Sequence, residues 1–181
     1  MDTNESNIVK NKLKKENNIE GLAYNQSKNE LLIACKGEMI KSKGDKEKAI
    51  YSFSLETREL ENKPFLTISD KELKEQLKKQ YATSNFSEKE LKKRKSRAIE
   101  FSPSGIAIQP TTGDYYIVSA RGSLLVILNA QKKIKHITFL NEKHLPQPEG
   151  ICFDTNETLF ISSEFKVGGG KIYKYKQHTD N

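Results

Sequence analysis

Ser104-Gly105-Ile106-Ala107, a polar turn and then Tyr115-Tyr116-Ile117-Val118 form the stretch that decides the fold, because the same pattern occurs three times. The other copies run from Glu20-Gly21-Leu22-Ala23 to Leu31-Leu32-Ile33-Ala34 and from Glu149-Gly150-Ile151-Cys152 to Leu159-Phe160-Ile161-Ser162. From the motif glycine to the matching isoleucine of the second run is 12 residues in the first two copies and 11 in the third. Short apolar runs bounded by turn residues read as strands. A strand–turn–strand unit repeated along a chain is the signature of blades stacked around an axis.

Working outward, the middle copy predicts strands at 105–108, 115–119, 123–128 and 134–140. The turns between them are Pro110-Thr111-Thr112-Gly113-Asp114, Arg121-Gly122 and 129–132. The first copy predicts strands at 21–24, 30–34, 49–55 and 65–68, with a polar loop at 38–46. In its third strand Tyr51, Phe53 and Leu55 alternate with polar residues, the period of a half-buried strand. The third copy supplies strands at 150–153, 158–162 and 171–175 and no fourth. The expected fold is all-β: three propeller-type blades forming an incomplete ring, at 19–68, 101–140 and 147–176 within a domain spanning 19–176. A polar segment, 1–18, precedes it and a polar tail, 177–181, follows.

Between the first two copies, 69–98 has helical grammar. Ser69-Asp70-Lys71-Glu72 and Ser87-Glu88-Lys89-Glu90 both fit the capping box, in which Ser and Glu satisfy each other's backbone amides. Ile68 with Leu73, and Phe86 with Leu91, fit the accompanying hydrophobic staple. Leu73, Leu77 and Tyr81 make a thin apolar stripe, so two short helices are expected against the rim of the sheets.

Composition narrows the class. The 181 residues are 35% hydrophobic and 30% charged, with a net charge of +7. No stretch approaches the ~20 apolar residues of a membrane-spanning helix, and 1–18 holds no apolar core of a secretory signal. Cys35 and Cys152 fall in different apolar strands, where a buried, reduced pair is expected.

Several of these runs go beyond generic strand patterning. Asn18-Ile19-Glu20-Gly21-Leu22-Ala23-Tyr24, Leu31-Leu32-Ile33-Ala34-Cys35-Lys36-Gly37, Phe101-Ser102-Pro103-Ser104-Gly105-Ile106-Ala107, Gln147-Pro148-Glu149-Gly150-Ile151 and Ile161-Ser162-Ser163-Glu164 together resemble the bacterial SdiA-regulated family. That resemblance implies a β-propeller related at a distance to calcium-dependent lactonase and strictosidine-synthase-like propellers. It also implies a longer protein with more blades and a periplasmic or cell-envelope location. The chain looks like the family's carboxyl-terminal half. Three blades cannot close a ring, since closed propellers have about four or more. Three explanations stand: a piece of a longer protein, two copies closing a six-bladed ring through their open edges, or an open array to which the amino-terminal segment adds a strand.

The motif acids carry the functional expectation. Glu20 and Glu149 occupy equivalent positions just before an inner strand, so in successive blades both carboxylates face one end of the central channel. Ca²⁺ takes several oxygen ligands, which acids converging from different blades can supply. Glu164, in register with Lys36 and Arg121, is expected at the same mouth as part of a pocket. Against a metal, such a glutamate can simply accept backbone amides in a blade-to-blade turn, and the middle copy carries Ser104 instead.

Other chemistry finds less support. Residues 70–97 carry ten basic and five acidic side chains, including Lys89, Lys92, Lys93, Arg94, Lys95 and Arg97. Interleaved glutamates and the lack of an aromatic stacking platform favour a solvated helix face over nucleic-acid binding. His136, His144 and His178 sit in no recognisable triad context, and no catalytic residue is assigned. Val167-Gly168-Gly169-Gly170-Lys171 precedes a strand, which suits a hairpin connection better than a phosphate loop. Two functions follow: a non-enzymatic ligand- or protein-binding propeller module, with Ca²⁺ at the mouth, or a metal-dependent hydrolase of the lactonase type using Glu20 and Glu149.

Overall fold

The structure is a computed structural model that describes residues 11–40, 47–82, 86–164 and 169–175. It contains three antiparallel sheets, each formed by strands consecutive in sequence. The first holds β1 (Ile19–Asn25), β2 (Glu30–Cys35), β3 (Glu47–Ser54) and β4 (Leu66–Ser69). The second holds β5 (Ser102–Ile108), β6 (Tyr115–Arg121), β7 (Leu124–Leu128) and β8 (Ile134–Phe139). The third has three strands, β9 (Pro148–Phe153), β10 (Leu159–Ser163) and β11 (Lys171–Tyr175).

The repeat seen in the sequence is a repeat of register. Leu22 pairs with Ile33, Ile106 with Ile117 and Ile151 with Ile161, so the residue after each motif glycine faces the isoleucine of the second strand. The inner strands β1, β5 and β9 lie side by side. A Cβ built on Gly21 would stand 3.0 Å from the Gly105 Cα, and one on Gly105 would stand 2.5 Å from the Glu149 carbonyl oxygen. Only glycine allows one blade's backbone this close to the next.

Alternation then sorts side chains into two interblade cores. Leu32, Ala34, Ile50, Leu66 and Ile68 from the first sheet meet Ile106, Ile117, Val126 and Ile137 from the second. The opposite face of the second sheet presents Val118 and Leu125 to Leu159 and Ile161 of the third. The far face of the first sheet (Ile33, Cys35, Tyr51 and Phe53) is roofed in part by Leu13, Met39, Ile40 and Leu60. On β1 that face keeps Leu22 at 62% and Tyr24 at 52% exposure, and on β11 Ile172 is 76% exposed, so both flanks of the array carry uncovered apolar side chains.

Two helices, α1 (Asp70–Gln80) and α2 (Glu88–Ala98), follow the first sheet. Both have the expected capping boxes: Ser69 and Glu72 exchange amide bonds, as do Ser87 and Glu90. Leu73 and Leu77 are buried in the first interblade core. Helix α1 also covers the outer edge of the second sheet. The Gln80 side chain donates to the Ile137 carbonyl (2.8 Å) and accepts its amide (2.9 Å), satisfying an edge strand that would otherwise stay open.

The expected pair of buried cysteines is corrected. Cys35 is buried, but Cys152 is exposed, and both thiols are free. Residue 152 lies on the face of β9 opposite the one that packs on the second sheet, where it stays exposed.

Candidate functional site

Each motif position ends up at the same end of the inner strands. Lys36 and Glu164 each donate a backbone amide across the sheet to the residue three before the motif glycine, Asn18 (2.9 Å) and Gln147 (3.1 Å). In the second sheet Arg121 pairs with the corresponding residue, Ser102. Arg121 reaches that register one residue late because Ala120 bulges out of the ladder between Ser119 and Arg121. Lys36, Arg121 and Glu164 are therefore equivalent, as the sequence suggested.

Glu20, Lys36, Glu149 and Glu164 form one electrostatic cluster that spans the first and third sheets. The Lys36 Nζ lies 3.4 Å from Glu20 Oε1, and both side chains are about one quarter exposed. Glu149 is half-buried, and its carboxyl is held above the ordinary glutamate range. Burial is the largest cause; the Glu20 carboxylate adds to it, the Lys36 ammonium opposes it, and Glu164 raises it further.

Arg121 belongs to a second, cationic group beside the first. It lowers the Lys48 ammonium, after the larger effect of burial, while Asp70 acts in the opposite sense. Lys48 was not singled out in the sequence. It donates to the Lys36 carbonyl at 2.7 Å. The β2–β3 register, which pairs Ala34 with Ile50, places 48 opposite 36.

Ser104, which stands where the other copies have glutamate, has a structural task. Its buried hydroxyl donates to the Pro148 carbonyl at 2.5 Å and accepts the Ala120 amide at 3.0 Å. One hydroxyl thus ties the second sheet to the third and satisfies the bulge. A carboxylate buried there would have no proton to donate to Pro148.

The acids do not by themselves fit a Ca²⁺ site. Among the described residues no three His, Cys, Asp or Glu side chains are grouped to hold a metal ion. An ammonium already faces Glu20, and two or three monodentate carboxylates fall short of the six to eight oxygens, roughly, that Ca²⁺ takes.

The basic insertion also departs from expectation in part. Lys89, Lys92 and Lys93 are exposed, as on a solvated face. Arg94, however, lies 4.5–5.2 Å from the rings of Tyr81, Phe86 and Phe139, and Arg97 lies 5.0 Å from Phe139. Tyr81 and Phe86 come from the insertion itself, next to the ends of α1 and α2, and Phe139 is supplied by β8.

Antiparallel sheets of four, four and three described strands, each meandering outward from an inner strand and packed face to face around those strands, are the blades of a β-propeller. The chain belongs to the SdiA-regulated family, whose model matches residues 2–167. No curated protein matches the sequence significantly. Among solved structures, the chain is similar to hydrazine synthase of Kuenenia stuttgartiensis (10% identity, TM-score 0.51, covering 89% of this chain and 34% of that one). It is also similar to a nidogen/laminin complex chain (16%, 0.48, 85% and 42%) and to a luciferin-regenerating enzyme (14%, 0.47, 86% and 44%). The chain spans less than half the length of each of these structures. No helix of the described residues is long and apolar enough to cross a membrane.

Proposed function

We propose that this chain is part of a non-enzymatic propeller module that binds a ligand or a protein at the mouth of its channel, through Glu20, Lys36, Glu149 and Glu164. The observation that supports this reading is the half-buried Glu149 carboxyl, whose ionisation is opposed by burial and by two acids and favoured only by Lys36. Such a group gains when a cationic group of a ligand arrives. Family membership supports a cell-envelope setting for the whole protein, as a proposal that fractionation of cells expressing it would test.

A second reading keeps Ca²⁺ as the arriving cation, with Glu20 and Glu149 as its first ligands and further oxygens from outside the described residues. The hydrolase alternative would require that metal to be present. Calorimetric titration of CaCl₂ into the chain and into Glu149→Gln, with a panel of lactone and phosphoester substrates, separates these. The first reading expects neither Ca²⁺ uptake nor turnover; Ca²⁺ uptake that disappears in Glu149→Gln would favour the second reading, and turnover would replace the binding reading with the hydrolase. No Ca²⁺ uptake would remove the second reading and the hydrolase with it.

A further inference from the structure

A cleft of about 680 Å³ lies between α2 and the segment that follows β8, and it is lined by none of the four mouth residues. Four cations line it, Lys93, Arg94, Arg97 and Lys143, together with Phe139 and two acids, Glu90 and Glu142. Both acids are engaged. Glu142 pairs with Arg97 at 2.8 Å, while Glu90 accepts the Ser87 amide and hydroxyl in the helix cap (2.9 and 2.7 Å). Arg97 is engaged too, since its guanidinium also donates twice to the Gly122 carbonyl (3.1 and 2.9 Å).

Arg94 is held differently. Three aromatic rings surround its half-buried guanidinium, and one terminal nitrogen donates to the Tyr81 hydroxyl at 3.3 Å. Ring faces fix a guanidinium in place but accept none of its in-plane N–H bonds. A guanidinium carries five such donors; Glu90 acts on Arg94 through its charge, but none of the ion pairs found among the described residues involves Arg94. A stacked, oriented guanidinium with donors to spare, next to two further ammonium groups, is the arrangement that recognises a planar or tetrahedral oxyanion through paired hydrogen bonds. A helix brace alone would need the stacking and nothing more.

We propose that this cleft is a binding site for a small molecule bearing an oxyanion, phosphate or carboxylate, with Arg94 making the directed contacts and Lys93 and Lys143 supplying charge. The site does not depend on the reading of the channel mouth. The test follows the Arg94 Nε–Hε resonance of the full chain by NMR while sodium phosphate, or sodium acetate, is added at low ionic strength. Sodium chloride at matched ionic strength is the control.

Saturable shifts with phosphate, acetate or both, absent with chloride, are expected. Saturation by phosphate alone assigns a phosphate-bearing ligand; saturation by acetate assigns a carboxylate. Arg94→Gln should weaken binding about tenfold or more, measured by calorimetry, and Lys143→Gln should weaken it several-fold with an unchanged melting temperature. Lys143 is exposed, so that variant keeps the proposal testable if Arg94→Gln fails to fold. Shifts that only track ionic strength, or an affinity indifferent to Lys143→Gln and to Arg94→Gln, would overturn the site.

Discussion

A side chain on Gly21 would begin 3.0 Å from the Cα of Gly105, so the first two blades touch backbone to backbone at their motif glycines. The same contact recurs one step along, where Gly105 faces the Glu149 carbonyl. The glycine of the repeat is thus the part of the motif that sets the distance between blades.

Gly105→Ala would therefore press a methyl group against the Glu149 carbonyl oxygen (2.5 Å) and a Val118 methyl (2.9 Å). Overpacking of this kind costs about 1–3 kcal/mol, which for a chain of this size lowers the melting temperature by roughly 2–4 °C per kcal/mol. Gly170→Ala, whose Cβ would meet nothing closer than 3.5 Å, is the control and should change stability by less than about 0.5 kcal/mol. Thermal unfolding followed by circular dichroism compares the two.

Ser104→Ala removes the bond to Pro148 and strands the Ala120 amide. Leaving such buried groups unpaired costs about 1–3 kcal/mol. Ser104→Glu, which restores the residue of the other two copies, should be worse than Ser104→Ala, since it buries a carboxylate against a carbonyl. Urea unfolding would rank them, and a Ser104→Glu chain as stable as the native one would refute the structural role of this serine.

The two thiols should behave differently. Cys152 is exposed and should react with a maleimide in the native chain. Cys35 is fully buried, and burial pushes its thiol up to about 11, so it should react only on unfolding. Mass spectrometry of the labelled protein would count one modification before denaturation and two after it.

What the sequence made legible is what repeats locally. The glycine-to-isoleucine spacing and the Ser–Glu caps at 69–72 and 87–90 each involve neighbours along the chain, and their physics is complete within a few residues. The half-buried strand expected from Tyr51, Phe53 and Leu55 is instead buried on both faces at 49–53, with Leu55 exposed beyond its end, because cores form on either side of the first sheet. The exposure of Cys152 was not legible, because both faces of β9 carry apolar residues and only the stacking of blades decides which one is covered. Lys48 required the β2–β3 register. The meeting of Arg94 with Phe139 required knowing that α1 packs on β8 and α2 on α1, which brings Arg94 to the end of β8. The equivalence of Lys36, Arg121 and Glu164 was readable, but the Ala120 bulge that allows it was not.

Glu149 gives a pH dependence of definite sign. Its carboxyl titrates higher in the folded chain than in the unfolded one, so the folded state holds the proton more tightly. Stability from this group is intact below the ordinary glutamate range and falls as pH rises through the raised value. Glu149→Gln should match the native chain in stability at acidic pH and exceed it near neutrality. Urea midpoints at a series of pH values would show the two curves diverging as pH rises.

The proposed grouping of Glu20, Lys36, Glu149 and Glu164 is most directly tested by titrating the Glu149 side-chain carbon resonance by NMR in the native chain and in Lys36→Met. Removing the Lys36 ammonium should move the Glu149 titration further upward, because the one opposing charge is gone and Glu20 and Glu164 remain. A Glu149 that titrates in the ordinary glutamate range and ignores the loss of Lys36 would contradict the arrangement.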